Sequence, residues 1–240
     1  MIWFGSLNFI KDMMTKNLII IVLLCIFASC GNPDYDHGKS DWIDTLDEIP
    51  QDELGEVPDS APYAFKTGVI EYESSTLGMK QQVITMFCNF GFTSRTEIIS
   101  RMLGQSIKQM TLVNDTAIFT LNLIDSIGSY ILLDSAETEL NFRDLSKEDM
   151  EKNQITKSGT DEILEKNCTI YELYIEEQDA QIKNWVWEGI TLKSVSRVGG
   201  IKVTMVAKKL RVNVNIPDEK FEVPEGFSIR KNESDSLIVQ

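Results

Sequence analysis

The strongest constraint on the fold is an alternation of apolar and polar side chains that recurs between residues 64 and 227. A period of two is that of a β-strand with one buried face, and helix patterns are few in the same region. The segments with this pattern are residues 65–75, 79–88, 106–113, 116–123, 129–133, 169–175, 181–188, 190–198 and 201–214. Between the last two, Gly199-Gly200 is a strong signal for a tight hairpin turn. The sequence therefore predicts a mainly β domain built as an antiparallel sheet.

The last segment also indicates that the sheet is curved. Met205 lies on one face of the strand, whereas Leu210 and Val212 have the opposite parity. A bulge at Lys208-Lys209 would return all three to the same face and bend the strand. Because a flat sheet would expose an apolar face and its edges, we expect a curved antiparallel sheet that closes or curls on itself.

Helices are expected to be short and few. Residues 144–153 predict one helix, because Ser146 and Asp149 form a capping pattern at its start. Residues 93–103 fit either a helix or a strand at this length. The expected architecture thus contains one or two short helices beside the sheet.

The C-terminal part of the domain carries an ordered series of motifs. A segment with Cys168 and Tyr171 leads to a segment with Trp185 and Trp187, and residues 216–227 read Ile-Pro-Asp-Glu-Lys-Phe-Glu-Val-Pro-Glu-Gly-Phe. This order resembles the LolA/LolB-like superfamily of lipoprotein carriers, over roughly residues 64–228. The resemblance implies a half-open antiparallel barrel wrapped around short helices, with an apolar cavity for acyl chains. A carrier's helix-lined lid has no equivalent motif here, so the resemblance implies the architecture and a cavity, without the sorting role.

The two tryptophans have two interpretations. Trp185 and Trp187 are two residues apart, so both point to one side of a strand. They either line a mouth that accepts lipid or belong to an ordinary core. The candidate ligand-binding residues are Trp185, Trp187, Ile190, Leu192 and Met205. Phe221, which lies between two prolines, is expected to pack on the sheet beside a final edge strand.

The N-terminal segment predicts export and lipid attachment. An apolar run of 11 residues, 18–28, follows Lys16 and precedes Cys30. A helix that crosses about 30 Å of hydrocarbon needs about 20 residues, so this run fits a signal peptide instead. Residues 26–30, Ile-Phe-Ala-Ser-Cys, resemble the lipobox of bacterial lipoproteins. The resemblance implies cleavage before Cys30, whose thiol then carries the lipid that anchors the chain. An ordinary secretory signal is the alternative.

These signals divide the chain into four parts. Residues 1–29 are the expected signal peptide, residues 30–63 the lipidated cysteine with a flexible acidic linker, residues 64–228 the antiparallel β domain, and residues 229–240 a polar tail. We expect a lipid-anchored protein of a Gram-negative envelope, at the outer membrane. The sequence leaves open which membrane face it occupies and whether Met1, Met13 or Met14 is the true start.

Two sets of residues are candidates for covalent modification. Cys88 and Cys168 remain after export, either as a disulfide or as two buried thiols. The tripeptide Asp-(Ser/Thr)-apolar resembles an O-glycan acceptor of some envelope proteins, although Asp-Ser also suits turns. Its candidate acceptors are Thr45, Ser60, Thr116, Ser126, Ser135 and Ser236.

Composition disfavours several functions. The net charge of −14 opposes nucleic acid and anionic headgroups. The single histidine, His37, lies in the predicted linker, and the sequence has no Gly-x-Ser-x-Gly, Walker loop or Cys/His metal spacing. We therefore expect a non-enzymatic, membrane-anchored envelope lipoprotein, without cofactor or metal, that binds a lipid or other hydrophobic ligand. The alternative is a structural lipoprotein with a filled core that docks an envelope protein.

Overall fold

The computed structural model describes residues 41–102, 105–133, 140–176 and 179–232. The predicted signal peptide, the lipid-anchor residue Cys30 and the candidate glycan acceptors Ser135 and Ser236 lie outside the described residues.

Twelve strands of the described chain form one sheet. They are β1 Gly68–Thr76, β2 Met79–Cys88, β3 Thr93–Met102, β4 Gln105–Val113, β5 Ala117–Asn122, β6 Ile127–Leu132, β7 Ile155–Ile163, β8 Lys166–Ile175, β9 Ala180–Trp187, β10 Ile190–Val198, β11 Ile201–Val212 and β12 Ser228–Lys231. Their spatial order is β12-β6-β5-β4-β3-β2-β1-β11-β10-β9-β8-β7. Neighbours are antiparallel except β12, which runs parallel to β6. Since β12 and β7 end the order without pairing to each other, the barrel is open.

One apolar cluster shows how strongly the sheet curves. This main cluster consists of Ile70, Tyr72, Val83, Phe87, Ile98, Cys168, Ile170, Trp185, Ile190, Leu192 and Ala207. Its members come from seven consecutive strands, from β3 to β8. In a flat sheet these two strands, six positions apart, would be separated by roughly 29 Å. These side chains are buried although the described ranges contain no second sheet to cover them, so the sheet curls over its own face, which confirms the predicted curved antiparallel architecture.

The predicted bulge is present. In the pairing of β1 with β11, Glu71 lies opposite Lys209 and Tyr72 lies opposite Ala207, which leaves Lys208 without a partner residue. Leu210 and Met205 both pack against the main cluster. The extra residue therefore restores the apolar face as the parity of the sequence predicts.

Two strands of the sheet, β3 and β7, were not clearly predicted from the sequence pattern. Residues 93–102, which fit either element, form β3. Strand β7 was not predicted, because it is an edge strand whose residues 156–162 are all exposed. An exposed strand lacks the apolar alternation by which strands are recognised.

The predicted helix is confirmed. Helix α1, Lys147–Lys152, begins after Ser146, whose side-chain oxygen accepts a hydrogen bond from the backbone N–H of Asp149. It is the one α-helix in the described ranges; short 3₁₀ turns occur at Asp41–Thr45, Gln51–Glu53, Asn89–Gly91 and Asp218–Phe221.

The described part of the predicted linker packs on the domain, which differs from a flexible spacer. Ile43 is buried in a second cluster with Val69 and Ile84, on the convex face of the sheet. Arg211 donates hydrogen bonds to the backbone carbonyls of Ile43 and Leu46. The acidic composition predicts a solvated spacer. The few apolar residues in the segment are nevertheless sufficient to pack it against the domain.

The C-terminal segment also differs from its prediction. Phe221 ends a 3₁₀ turn that follows Pro217, instead of standing beside an edge strand. Its ring packs against the second cluster. The edge strand is β12, Ser228–Lys231, which enters the predicted polar tail.

Residues 61–66, here called the strap, join the two sides of the curved sheet. The Tyr63 N–H donates to the Phe90 carbonyl (2.9 Å), beyond the end of β2, and the Phe90 N–H donates to the Lys66 carbonyl (2.9 Å). The Ala64 N–H donates to the Glu188 carbonyl (3.2 Å), in the turn after β9. The strap therefore closes one end of the concave face.

Aromatic packing and one glycine fix the strap in place. The Tyr63 ring meets the Phe87 ring edge-on, with centroids 4.7 Å apart, and Phe65 stacks on Trp187 at 4.8 Å. A Cβ added to Gly189 would lie 2.0 Å from the Pro62 carbonyl oxygen. The close approach of the strap to the β9–β10 turn therefore requires glycine there.

We predict that Gly189→Ala destabilises the fold much more than Gly200→Ala. Both glycines have φ near +80° and sit in two-residue turns, but nothing lies within 4 Å of a Cβ at Gly200. Gly200→Ala should lower the free energy of unfolding by about 1 kcal/mol, the cost of a positive φ. Gly189→Ala should lower it by about 2–4 kcal/mol, because displacement of the strap adds to that cost. Urea denaturation measures both, and equal losses would contradict the role given to the strap.

Candidate functional site

The structure brings the five predicted ligand-binding residues together. Trp185, Ile190 and Leu192 are buried members of the main cluster, and Trp187 and Met205 pack against it. The sequence therefore located a real cluster on the sheet. The side chains of Ile190 and Leu192 are at most 1% exposed, so their contacts are with the protein's own core.

Trp185 is held by its own chain. Its indole N–H donates to an oxygen of the Asp161 carboxylate (2.9 Å). The Lys193 ammonium lies 4.1 Å from the ring centroid, a distance at which the cation is attracted to the π face. Ile170 is its partner in the pairing of β8 with β9. This environment matches the core interpretation of Trp185.

Tyr72 links strands that are not neighbours. Its hydroxyl donates to the Thr191 carbonyl (3.0 Å), so the side chain passes from β1 over β11 to β10. Burial raises the pKa of the Tyr72 hydroxyl, which keeps the phenol neutral and able to donate. Tyr72 marks the boundary between the apolar part of the face and a polar part.

A band of buried polar side chains continues the same face beyond Tyr72. Register pairs Ser194 with Met205, Met205 with Ser74, and Ser74 with Gln81. Paired residues of antiparallel strands share a face, and the Ser194 hydroxyl also donates to the Asn184 side-chain carbonyl oxygen (2.8 Å). The band, here called the polar row, consists of the buried Ser74, Thr76, Gln81, Ser100 and Ser196 together with the half-buried Ser194.

Sequence reasoning missed the polar row. Its residues are of types usually found at the surface, so an alternating pattern assigns them to solvent. The signal that could have found them is parity: Ser74 and Thr76 alternate in phase with Tyr72, and Gln81 in phase with Val83. Polar residues in the phase of a buried face indicate a polar section of that face.

The two cysteines are free thiols, so the disulfide, one of the two alternatives, is not formed. Cys168 belongs to the main cluster, which also contains Phe87. Cys88 follows Phe87 in β2, so its side chain leaves on the opposite face. Desolvation raises the pKa of the Cys88 thiol to about 11 and also raises that of Cys168.

We predict that neither thiol reacts readily at neutral pH. Because a raised pKa leaves the reactive thiolate scarce at pH 7, alkylation of Cys88 should be slow there and accelerate as the pH approaches 11. Mass spectrometry of peptides after timed iodoacetamide treatment measures each cysteine separately. A disulfide-linked pair of peptides, or alkylation at pH 7 as fast as that of a small thiol, would contradict the structure.

The described glycan acceptors are all exposed. Thr45, Ser60, Thr116 and Ser126 lie at the surface. The Thr45 hydroxyl donates to the Trp42 carbonyl, and the Thr116 hydroxyl donates to Asn114. These bonds are typical of turns, and glycosylation stays a prediction.

A separate cavity lies away from the predicted residues. It has a volume of about 350 Å³, lies between α1 and β7, and is lined by Lys147, Met150, Glu151, Gln154, Ile155 and Thr156. In the ranges that the structure describes, no group of three metal-ligating side chains converges. No helix in those ranges has the length and hydropathy needed to cross a bilayer.

Comparison with known proteins gives structural likenesses without a family assignment. No protein-family model and no curated protein matches the sequence. An uncharacterized conserved protein from Thermus thermophilus is similar at 6% identity over 70% of this chain and 91% of that one, with a TM-score of 0.49. A chain of the Pseudomonas aeruginosa MucA/MucB complex is similar at 8% identity, over 66% of this chain and 56% of that one (TM-score 0.41). A putative outer membrane lipoprotein-sorting protein domain from Vibrio parahaemolyticus is similar at 8% identity over 65% and 89% (TM-score 0.34). Each TM-score is below 0.5, so these likenesses assign no function to this chain.

Proposed function

We propose that this chain is a non-enzymatic lipoprotein of the bacterial envelope, which binds a lipid or other hydrophobic ligand against the concave face of its sheet. The observation that carries the proposal is the continuity of that face. It runs from the strap across the main cluster to the polar row, through side chains of strands β3 to β8.

The charge distribution supports an apolar ligand. The main cluster and the polar row contain no charged residue, although a quarter of the chain is charged. An acyl chain enclosed by such side chains gains about 25 cal/mol for each Å² of its own apolar surface removed from water. The side chains of the main cluster and the polar row themselves offer no ion-pair partner, and the cations that border the cluster, Lys166, Lys183 and Lys193, lie over the rings of Trp185 and Trp187.

The lipobox supports an anchor near the domain. Asp41 begins the described chain and is 11 residues from Cys30. A fully extended chain covers at most about 3.6 Å per residue, so a lipid on Cys30 would hold Asp41 within about 40 Å of the membrane surface. The domain would then work close to a bilayer that supplies its ligand.

We predict that Cys30→Ala abolishes acylation and releases the protein from membranes. The thiol of Cys30 is the proposed attachment atom, so alanine leaves no site for the lipid. Cys25→Ala is the matched control, because Cys25 lies within the apolar run that the signal peptidase would remove. Metabolic labelling with palmitate and membrane fractionation measure both variants, and continued labelling of Cys30→Ala would overturn the anchor.

Native mass spectrometry tests the binding role. The protein extracted from its own membranes should carry a bound hydrophobic ligand in addition to the lipid on Cys30. A protein that is acylated but otherwise free of ligand would contradict the binding role while leaving the anchor intact.

The packing around Trp185 favours a second candidate function, a docking lipoprotein with a filled core. Trp185 contacts its own chain through Asp161 and Lys193. Edge strand β7 exposes residues 156–162, and an unpaired edge can accept a strand from a partner. Stable recovery of an envelope protein with the ligand-free lipoprotein would favour this candidate.

A further inference from the structure

Three buried polar atoms of the polar row have no hydrogen-bond partner. They are the hydroxyl oxygens of Thr76 and Ser100 and the carbonyl oxygen of the Gln81 side chain. The three residues are only 3%, 3% and 5% exposed. Burial of an unpaired polar atom costs free energy, so three in one place point to a partner that the described residues do not supply.

The three atoms belong to one compact site. Ser74 lies directly opposite Gln81, and Thr76 is the next residue of β1 on the same face. Gln82 pairs with Ile99, so Gln81 and Ser100 are neighbours on the other face of β2 and β3. The unpaired atoms therefore come from three adjacent strands at one level of the sheet.

The site lies at the end of the face opposite the strap. Thr76 ends β1, and the next residue, Leu77, is 61% exposed in the turn to β2. Solvent thus begins one residue beyond the site. A ligand that enters between these side chains would point its apolar part toward Tyr72, Val83 and Ile98, and so toward the strap.

The atom types define the chemistry of the missing partner. The Gln81 carbonyl oxygen only accepts, so the partner must donate an O–H or N–H. The hydroxyls of Thr76 and Ser100 accept or donate. No lysine or arginine belongs to the polar row, so an anionic head would be desolvated without an ion-pair partner.

We propose that the polar row binds the uncharged head of an amphiphile that carries at least one hydroxyl or amide donor, while its hydrocarbon chain lies on the main cluster. Monoacylglycerols and N-acyl amides have this chemistry. Fatty-acid anions and phospholipids do not, because their heads are charged. The inference rests on the proposed binding function and names the class of ligand.

The test compares two ligands with the same chain. The full-length lipoprotein in lipid nanodiscs is titrated with monopalmitoylglycerol or with palmitate at pH 8, and occupancy is read by native mass spectrometry. Monopalmitoylglycerol should bind at least tenfold more tightly. The double variant Thr76→Val/Ser100→Ala removes both unpaired hydroxyls and should reduce that preference to less than threefold.

A matched control separates ligand contact from structural support. Ser75 and Thr204 are paired with each other on the opposite face, so Ser75→Ala/Thr204→Val deletes the same atoms elsewhere and should keep the tenfold preference. In the absence of ligand, Thr76→Val/Ser100→Ala should raise the melting temperature, because it removes buried polar atoms that have no partner. A lower melting temperature with an unchanged preference would overturn the inference.

The outcomes for the wild-type protein distinguish the two proposals. If neither ligand binds, the proposed binding function fails and the inference fails with it. If both ligands bind equally well, the binding function stands and the assignment of an uncharged head is wrong.

Discussion

The concave face depends on the hydrogen bonds that tie the strap to both sides of the sheet. The backbone N–H groups of Tyr63 and Ala64 find their acceptors in Phe90 and Glu188, which follow β2 and β9. These strands are four positions apart in the sheet, so the strap holds together regions that a flat sheet would separate by roughly 19 Å. Phe65 on Trp187 and Tyr63 on Phe87 fill the space between them. Curvature, core and candidate site all follow from this closure.

The resulting face has a gradient of polarity along the strands. Next to the strap its side chains are aromatic and aliphatic, and beyond Tyr72 they are hydroxyls and amides. Burial of apolar area stabilises the first part, whereas three atoms of the second part are left without partners. A ligand with an apolar chain and an uncharged polar head matches both parts. The gradient therefore links the stability of the fold to the ligand class that the face would select.

Much of the sheet could be predicted from periodicity, because a half-buried strand shows its face directly. Gly199-Gly200 located a hairpin, and the change of parity after Ala207 located the bulge at Lys208. The missed strand β7 has no buried face to reveal it. The docking of Ile43 was also missed, because its surroundings are acidic and rich in proline.

The sequence predicted where the candidate site lies, but it predicted only part of what its side chains contact. Trp185 and Trp187 do lie with Ile190 and Leu192, as the period of two requires. Whether a buried tryptophan contacts a ligand or its own chain depends on partners such as Asp161, 24 residues away, and local patterns do not report these. The polar row depends on pairing between distant strands, since Ser74 meets Met205 only through the register of β1 with β11. The polar row therefore follows from strand register, which the pattern of a single segment does not give.

If the concave face holds the chain of an amphiphile, that chain lies beside Trp187, which packs against the main cluster. Quenching of tryptophan fluorescence by a monoacylglycerol with a brominated chain measures that contact directly, in a protein where the half-exposed Trp42 is replaced by phenylalanine. We expect saturable quenching by the brominated ligand, no quenching by its unbrominated counterpart, and a smaller effect after Trp187→Phe. Emission that the brominated chain leaves unchanged at saturating ligand would contradict this placement of the chain.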